Sequence, residues 1–98
     1  MNKRHRDHRY DLIKPMIANG KIVSFNDIFK YIPKTVVAKD LGKKVDRFNT
    51  LMSNVEEFML SDLFIIATFF EIDEDDIVRL IMIDYKRNKN DNKHQSGM

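Results

Sequence analysis

The chain has 98 residues, 17 Lys and Arg against 15 Asp and Glu, and neither cysteine nor tryptophan. This length fits one domain of about 100 residues, with no room for a large cofactor cavity beside its core. The absence of cysteine excludes a disulfide scaffold and thiolate metal sites. The longest mainly apolar stretch, Leu63–Phe70, is far shorter than the ~20 residues that span a bilayer. We therefore expect a cytoplasmic protein that does not enter a membrane.

The net charge of +2 conceals an uneven distribution along the sequence. Twelve basic and five acidic side chains give residues 1–54 a charge of +7, whereas one basic and nine acidic side chains give residues 55–84 a charge of −8. This distribution suggests that the basic part faces a polyanion. Chance clustering of surface charges is the alternative, and charge alone does not separate the two.

The first part of the chain combines a polar segment with a helix signal. Residues 1–10 are expected to form a flexible basic arm, because residues 2–9 contain no apolar side chain. A helix is predicted from Asp11 to Ala18, with Pro15 in or near its first turn and Asn19-Gly20 as its stop. The alternative is a hairpin with its turn at Asn19-Gly20, which the proline and the short flanks disfavour.

The middle of the chain contains three further helix signals. Residues 24–27, with the sequence SFND, have the form of a capping box and predict a helix through Tyr31. Pro33 ends that helix and starts another, which continues to Leu41 and stops at Gly42. Apolar side chains then recur at helical spacing and predict an amphipathic helix: Val45, Phe48, Leu51 and Met52.

Two more helices complete the predicted architecture. Ser61 is the expected cap of a helix whose buried residues are Leu63, Phe64, Ala67 and Phe70. Acidic residues 73–76 suit the first turn of a final helix that runs towards Tyr85, and residues 87–98 are expected to form a polar tail. The prediction is an all-α protein, a compact bundle of about five to six short helices in a single domain over residues 11–86.

Residues 34–53 combine the features needed where two helices cross at a tight turn. Ala38 offers a small side chain at the crossing, and Gly42 tolerates a positive φ at the turn. Polar side chains occupy the outward positions of the second helix: Lys44, Asp46, Arg47, Asn49 and Thr50. Such a surface suits the edges of bases in a major groove.

This segment resembles the helix-turn-helix of phage-repressor and Cro-type DNA-binding domains, with matching residues at Ala38, Leu41, Gly42, Phe48 and Leu51. The resemblance extends over roughly residues 24–81. It implies a lambda-repressor-like fold with an N-terminal extension and a small transcriptional regulator that binds double-stranded DNA. The recognition helix would be about residues 44–53. The DNA-binding residues implied by the resemblance are Lys34, Thr35, Lys43, Lys44, Asp46, Arg47, Asn49 and Thr50.

Two weaker sets of candidate contacts follow from charge and surplus apolar surface. Basic side chains of the arm are candidates for phosphate or minor-groove contacts, with a solvated terminus as the alternative: Lys3, Arg4, Arg6 and Arg9. A second apolar stripe on the last two helices predicts a homodimer, with packing against the first helix as the competing account: Ile65, Phe69, Val78, Met82 and Tyr85.

Other functions find less support in the sequence. His5, His8 and His94 lie in the predicted polar ends, and the acidic run at residues 71–76 lacks the glycine and the length of a calcium loop. We expect no metal, no cofactor and no enzymatic activity. Because a fold does not fix a function, the alternative to DNA binding is a protein-interaction adaptor or antitoxin-like module with a protein partner.

Overall fold

A computed structural model describes residues 6–96, and the side chains as far as residue 90. Over these residues the chain forms six α-helices and one short 3-10 turn, with no strand. The helices span Tyr10–Ala18 (α1), Phe25–Ile28 (α2), Lys34–Leu41 (α3), Val45–Ser53 (α4), Leu60–Phe70 (α5) and Glu74–Ser96 (α6), and the 3-10 turn spans Val55–Glu57. The all-α prediction is confirmed, and the hairpin alternative is wrong.

Four phenylalanine rings, three of them buried, form a closed circuit of aromatic contacts. Phe25 meets Phe29 and Phe58, and Phe48 meets the same two rings, with centroids 5.4–5.7 Å apart and edge-to-face geometry. Each such pair contributes about 0.5–1.5 kcal/mol beyond the burial of its surface. The circuit joins α2 to α4 and to the segment that precedes α5, so α4 is held on its inner side by aromatic packing.

The capping box at the start of α2 is confirmed. The backbone N–H of Asp27 donates to Oγ of Ser24 over 3.2 Å, and the N–H of Ser24 donates to Oδ2 of Asp27 over 3.3 Å. The helix ends at Ile28 rather than Tyr31. Pro33 has no N–H, so it cannot donate the hydrogen bond that would extend α2. Residues 29–31 form hydrogen-bonded turns instead, and these lead into α3.

Two helices start at positions that differ from the prediction. α1 begins at Tyr10, one residue early, because the Tyr10 side chain is buried and its N–H donates to the carbonyl of Asp7. Pro15 therefore lies inside the helix and not in its first turn. α5 begins at Leu60 with Met59 as its N-cap. The Ser61 cap is wrong because the N–H of Leu63 already bonds to the Met59 carbonyl, which leaves Ser61 inside the first turn.

The last helix is longer than predicted. α6 starts at the expected acidic turn but continues past Tyr85 to Ser96, through residues assigned to a polar tail. No glycine or proline interrupts residues 74–96, so nothing in the local sequence breaks the helix. Its second half is strongly polar, and no helix in the described part of the chain is long and apolar enough to cross a membrane.

Candidate nucleic-acid interface

The α3–α4 pair is joined by a tight turn centred on a left-handed glycine. Gly42 has φ 83°, a conformation that other residue types adopt at a cost. Its N–H donates to the Lys39 carbonyl over 3.0 Å, and the N–H of Lys43 donates to the Ala38 carbonyl over 2.9 Å. These two bonds form the Schellman motif, which satisfies the last carbonyls of α3 and turns the chain sharply into α4.

Buried apolar side chains fix the inner faces of the α3–α4 pair. Val37 and Ala38 of α3 and Phe48 and Leu51 of α4 are all buried. Val45 is 37% exposed, because it lies at the solvent-facing start of α4. The four buried positions hold α4 in one rotational orientation, so its opposite face is presented to solvent as a rigid surface.

Four of the five side chains that the spacing places on the outer face of the second helix lie on α4, and the fifth, Lys44, is its N-cap. All five side chains are exposed: Lys44, Asp46, Arg47, Asn49 and Thr50. Thr35, at the start of α3, is exposed as well. Thr50 donates from Oγ1 to the Asp46 carbonyl over 3.1 Å, which leaves its oxygen able to accept a further bond. The side chains of Lys44 and Asn49 make no hydrogen bond or ion pair with any described residue. They can contact a ligand without breaking an existing bond.

Two ion pairs reduce the positive charge of this region. Nζ of Lys43 lies 3.3 Å from Asp62 of α5, and both side chains are mostly buried. Nη1 of Arg47 lies 4.0 Å from Oε1 of Glu57, and both side chains are more than half exposed. The basic residues 1–54 and the acidic residues 55–84 therefore meet in space here. Lys43 in particular secures the α3–α4 turn to α5.

The described part of the predicted arm contacts the protein. Arg6 donates to the Phe69 carbonyl over 2.8 Å and to Asp11 over 2.7 Å, and it lies 3.4 Å from Glu71. Its guanidinium also lies 5.5 Å from the centroid of the Tyr10 ring. Arg6 is thus engaged at the carboxyl end of α5, where it complements the helix dipole. Lys3 and Arg4 lie outside the described residues.

Residues 7–10 are ordered by two further contacts. Arg9 hydrogen-bonds the Asp7 carboxylate, and this hydrogen bond is the main reason that the pKa of Asp7 falls to about 2. The Tyr10 hydroxyl donates to Oδ2 of Asp40 over 2.5 Å, so α1 is tied to α3. Burial, followed by this bond to a carboxylate, raises the pKa of Tyr10 well above its ordinary value. Arg9, like Arg6, is occupied by a local acidic partner.

The second apolar stripe is partly covered within the chain. The ring of Phe69 stacks on that of Tyr10, with centroids 5.5 Å apart, which agrees with packing against α1. Val78 and Tyr85 are half-buried against the core. Ile65 and Met82 remain 45% and 42% exposed, so these two form the part of the stripe that a second chain could still cover.

The sequence prediction missed a buried carboxylate in α6. Asp84 is 6% exposed and accepts the backbone N–H of Asn26 over 2.9 Å, so a side chain of α6 caps α2. Burial raises the pKa of the Asp84 carboxyl, and the bond from Asn26 opposes that rise. One signal could have revealed it, since Asp84 follows Ile77, Leu80 and Ile81 at the spacing of the buried stripe.

Comparison with known proteins does not assign the chain to a family. No protein-family model, curated protein or solved structure matches the chain. The geometry and chemistry of the residues described above therefore carry the assignment of function.

Proposed function

We propose that this protein binds double-stranded DNA through the outer face of α4, as a small cytoplasmic transcriptional regulator of the phage-repressor type. The observation that carries the proposal is the rigid α3–α4 pair. A Schellman turn at Gly42 and buried Phe48 and Leu51 fix α4 from within, and its opposite face carries exposed hydrogen-bonding side chains. A helix of that kind fits the major groove, whose base edges present distinct patterns of donors and acceptors.

The side chains of α4 divide by chemistry into base-reading and phosphate-binding groups. Arg47 suits a bidentate contact to guanine and Asn49 a bidentate contact to adenine. Asp46 and Thr50 lie beside them and complete the reading surface. Lys34, Thr35 and Lys44 would bind phosphates, which positions the helix without selecting sequence. Lys43 has a different part, because its ion pair with Asp62 secures the turn.

The ion pair between Arg47 and Glu57 does not prevent base reading. An exposed pair whose charged atoms lie 4.0 Å apart is worth about 0–1 kcal/mol. A bidentate contact to guanine discriminates by about 1–3 kcal/mol. Arg47 therefore gains by leaving Glu57 when it meets the correct base. Glu57 carries a negative charge close to Arg47. Glu57→Gln removes that charge and should therefore tighten binding to DNA of any sequence.

Salt dependence tests the proposal directly. Binding to a mixed-sequence duplex should weaken as salt rises, because each phosphate contact releases counterions. The slope of log K against log salt is negative, and Lys44→Ala should make it shallower by about 0.9. Lys14→Ala, at an exposed site on α1, should leave the slope unchanged. Arg47→Ala should mainly reduce the difference between specific and mixed-sequence duplexes. Absence of binding, or binding insensitive to salt, would overturn the proposal.

The proposal includes a homodimer that covers Ile65 and Met82. Both side chains are large, apolar and exposed on neighbouring helices, and a two-fold dimer would present two copies of α4 to paired half-sites. Sedimentation at a series of concentrations should detect the dimer, and Met82→Glu should shift it to monomer. A wild-type chain that stays monomeric throughout would remove the dimer from the proposal.

A protein-binding adaptor is the second candidate, and one observation favours it. Met59 and Leu60 are 65% and 60% exposed at the start of α5, next to the ion pairs that neutralise Lys43 and Arg47. A pull-down with and without nuclease separates the two functions. A specific protein retained after digestion, without bound DNA beforehand, would favour the adaptor.

A further inference from the structure

A cavity of about 480 Å³ lies between α2, α4 and α6, beside the start of α3. Its volume falls within the range of about 300–1,000 Å³ that small-molecule sites occupy. The DNA-binding proposal uses only one of its lining residues, Lys34. The cavity therefore needs an account of its own.

A buried carboxylate makes one wall of the cavity rigid. Asp84 lines the cavity while bonding to the backbone N–H of Asn26 over 2.9 Å, and it is 6% exposed. Fully buried carboxylates are rare because their desolvation is costly unless hydrogen bonds compensate it. Here the bond fixes α6 against the start of α2. The cavity is consequently formed before any ligand arrives.

Three cationic side chains from different elements line the cavity: Lys30, Lys34 and Arg87. Lys30 is engaged with Asp27 over 3.2 Å. Lys34 and Arg87 form no ion pair with any carboxylate of residues 6–90. Arginine binds carboxylate and phosphate groups with a planar pair of N–H donors. Burial raises the pKa of the Asp84 carboxyl and the charge of Arg87 opposes that rise, but the two groups form no ion pair, so the guanidinium N–H donors of Arg87 can bind a ligand.

Apolar surface lines the cavity as well. Phe29 and Met52 are half-buried side chains that contact the core and also line the cavity. A bare ion would leave that surface in water, whereas a ligand with a flat apolar body would cover it. The lining therefore combines cationic side chains with apolar surface, which suits a molecule that carries both an anionic group and an apolar ring.

We propose that the cavity between α2, α4 and α6 binds a small organic anion, with its phosphate or carboxylate group on Lys34 and Arg87 and its apolar body against Phe29 and Met52. A second consequence rests on the proposed DNA function. Because Lys34 would serve both the ligand and a DNA phosphate, a bound anion weakens DNA binding.

Titration with phenyl phosphate and, in parallel, benzoate tests the ligand site without DNA. Backbone NMR shifts should saturate around Phe29, Lys34 and Arg87, with a Kd of about 4 mM or tighter, as expected for ligands of this size. The two arms show whether phosphate or carboxylate is preferred. Benzyl alcohol, which lacks the charge, should not bind, and inorganic phosphate should bind more weakly than phenyl phosphate.

Variants separate the cavity from general electrostatic attraction. Arg87→Gln should weaken binding by about tenfold or more, because a charge-assisted hydrogen bond is lost. Lys86→Gln, the exposed neighbour on α6 that does not line the cavity, should leave it unchanged. Met52→Ala should weaken binding of phenyl phosphate but not of inorganic phosphate. Failure of both anions to saturate, or equal losses in the Arg87 and Lys86 variants, would overturn the proposal.

A separate measurement addresses the coupling to DNA. Saturating anion should reduce the affinity for a duplex at constant ionic strength, and the same anion concentration should have a smaller effect on Arg87→Gln. Anion binding without any effect on DNA would overturn the coupling alone. Anion binding by a chain that does not bind DNA would overturn the coupling and the DNA function but leave the ligand site standing.

Discussion

Replacing Gly42 with alanine should destabilise the protein, although the site has room for a side chain. Gly42 has φ +83°, and a Cβ built there would meet no atom within 4 Å. Steric contact with neighbouring residues therefore contributes nothing to the cost. What remains is the intrinsic penalty of placing an L-residue in the left-handed region.

The size of the effect follows from two opposing contributions. The left-handed conformation costs an L-residue roughly 1–2 kcal/mol. Alanine also restricts the unfolded chain, which returns about 0.4–1 kcal/mol in favour of the variant. The net destabilisation of Gly42→Ala should be about 1 kcal/mol, equivalent to a decrease in Tm of about 4–8 °C for a domain of this size. Gly42→Asn should lose less, because asparagine tolerates this conformation.

Urea denaturation provides the assay, and a second glycine provides the control. The midpoint should fall for Gly42→Ala without a change in m, because the surface exposed on unfolding is the same. Gly20 has φ +81° and equally open surroundings, so Gly20→Ala should lose a similar amount. A gain in stability for Gly42→Ala would refute the reasoning, since that gain is expected only where the backbone is unstrained.

Three further predictions concern polar groups that form hydrogen bonds within the protein. Ser24→Ala should cost about 1 kcal/mol by removing the capping box, whereas Ser53→Ala, exposed in α4, should change denaturation little. Tyr10→Phe should lose about 1.5 kcal/mol. Because the pKa of Tyr10 is raised, its contribution is present below pH ~10 and lost as pH rises beyond that value, so the alkaline decline should shrink in the variant. Carboxyl NMR should find the pKa of Asp7 at about 2 and that of Asp84 above 3.8. The contribution of Asp7 to stability should then be lost as pH falls from 3.8 towards 2, and that of Asp84 as pH rises above 3.8.

The features predicted well from sequence depend on residues close together in the chain. The capping box at Ser24 needs only its third successor, and the turn at Gly42 needs only the end of α3. Helix α3 and the outward positions of α4 follow from the same local spacing. The structure of these elements is determined by residues within them, so the sequence alone is enough to locate them.

The features that were missed depend on contacts between distant segments. Asp84 bonds to Asn26, 58 positions away, and no local pattern encodes that pairing. The polar neighbours of Tyr10 predict that it belongs to the arm, yet its ring packs against Phe69 and Phe70 of α5. The ion pair of Lys43 likewise required α5 to be in place. Sequence spacing gave the orientation of α4 but not the acidic partners around it.

Selection of bound sites from a pool of random duplexes tests the central claim most directly. Two copies of α4 on one face of DNA should enrich a two-fold symmetric sequence with half-sites about 10 base pairs apart. Arg47→Ala should enrich a more degenerate sequence under the same conditions. A folded protein that enriches no sequence above the starting pool would contradict DNA reading by α4.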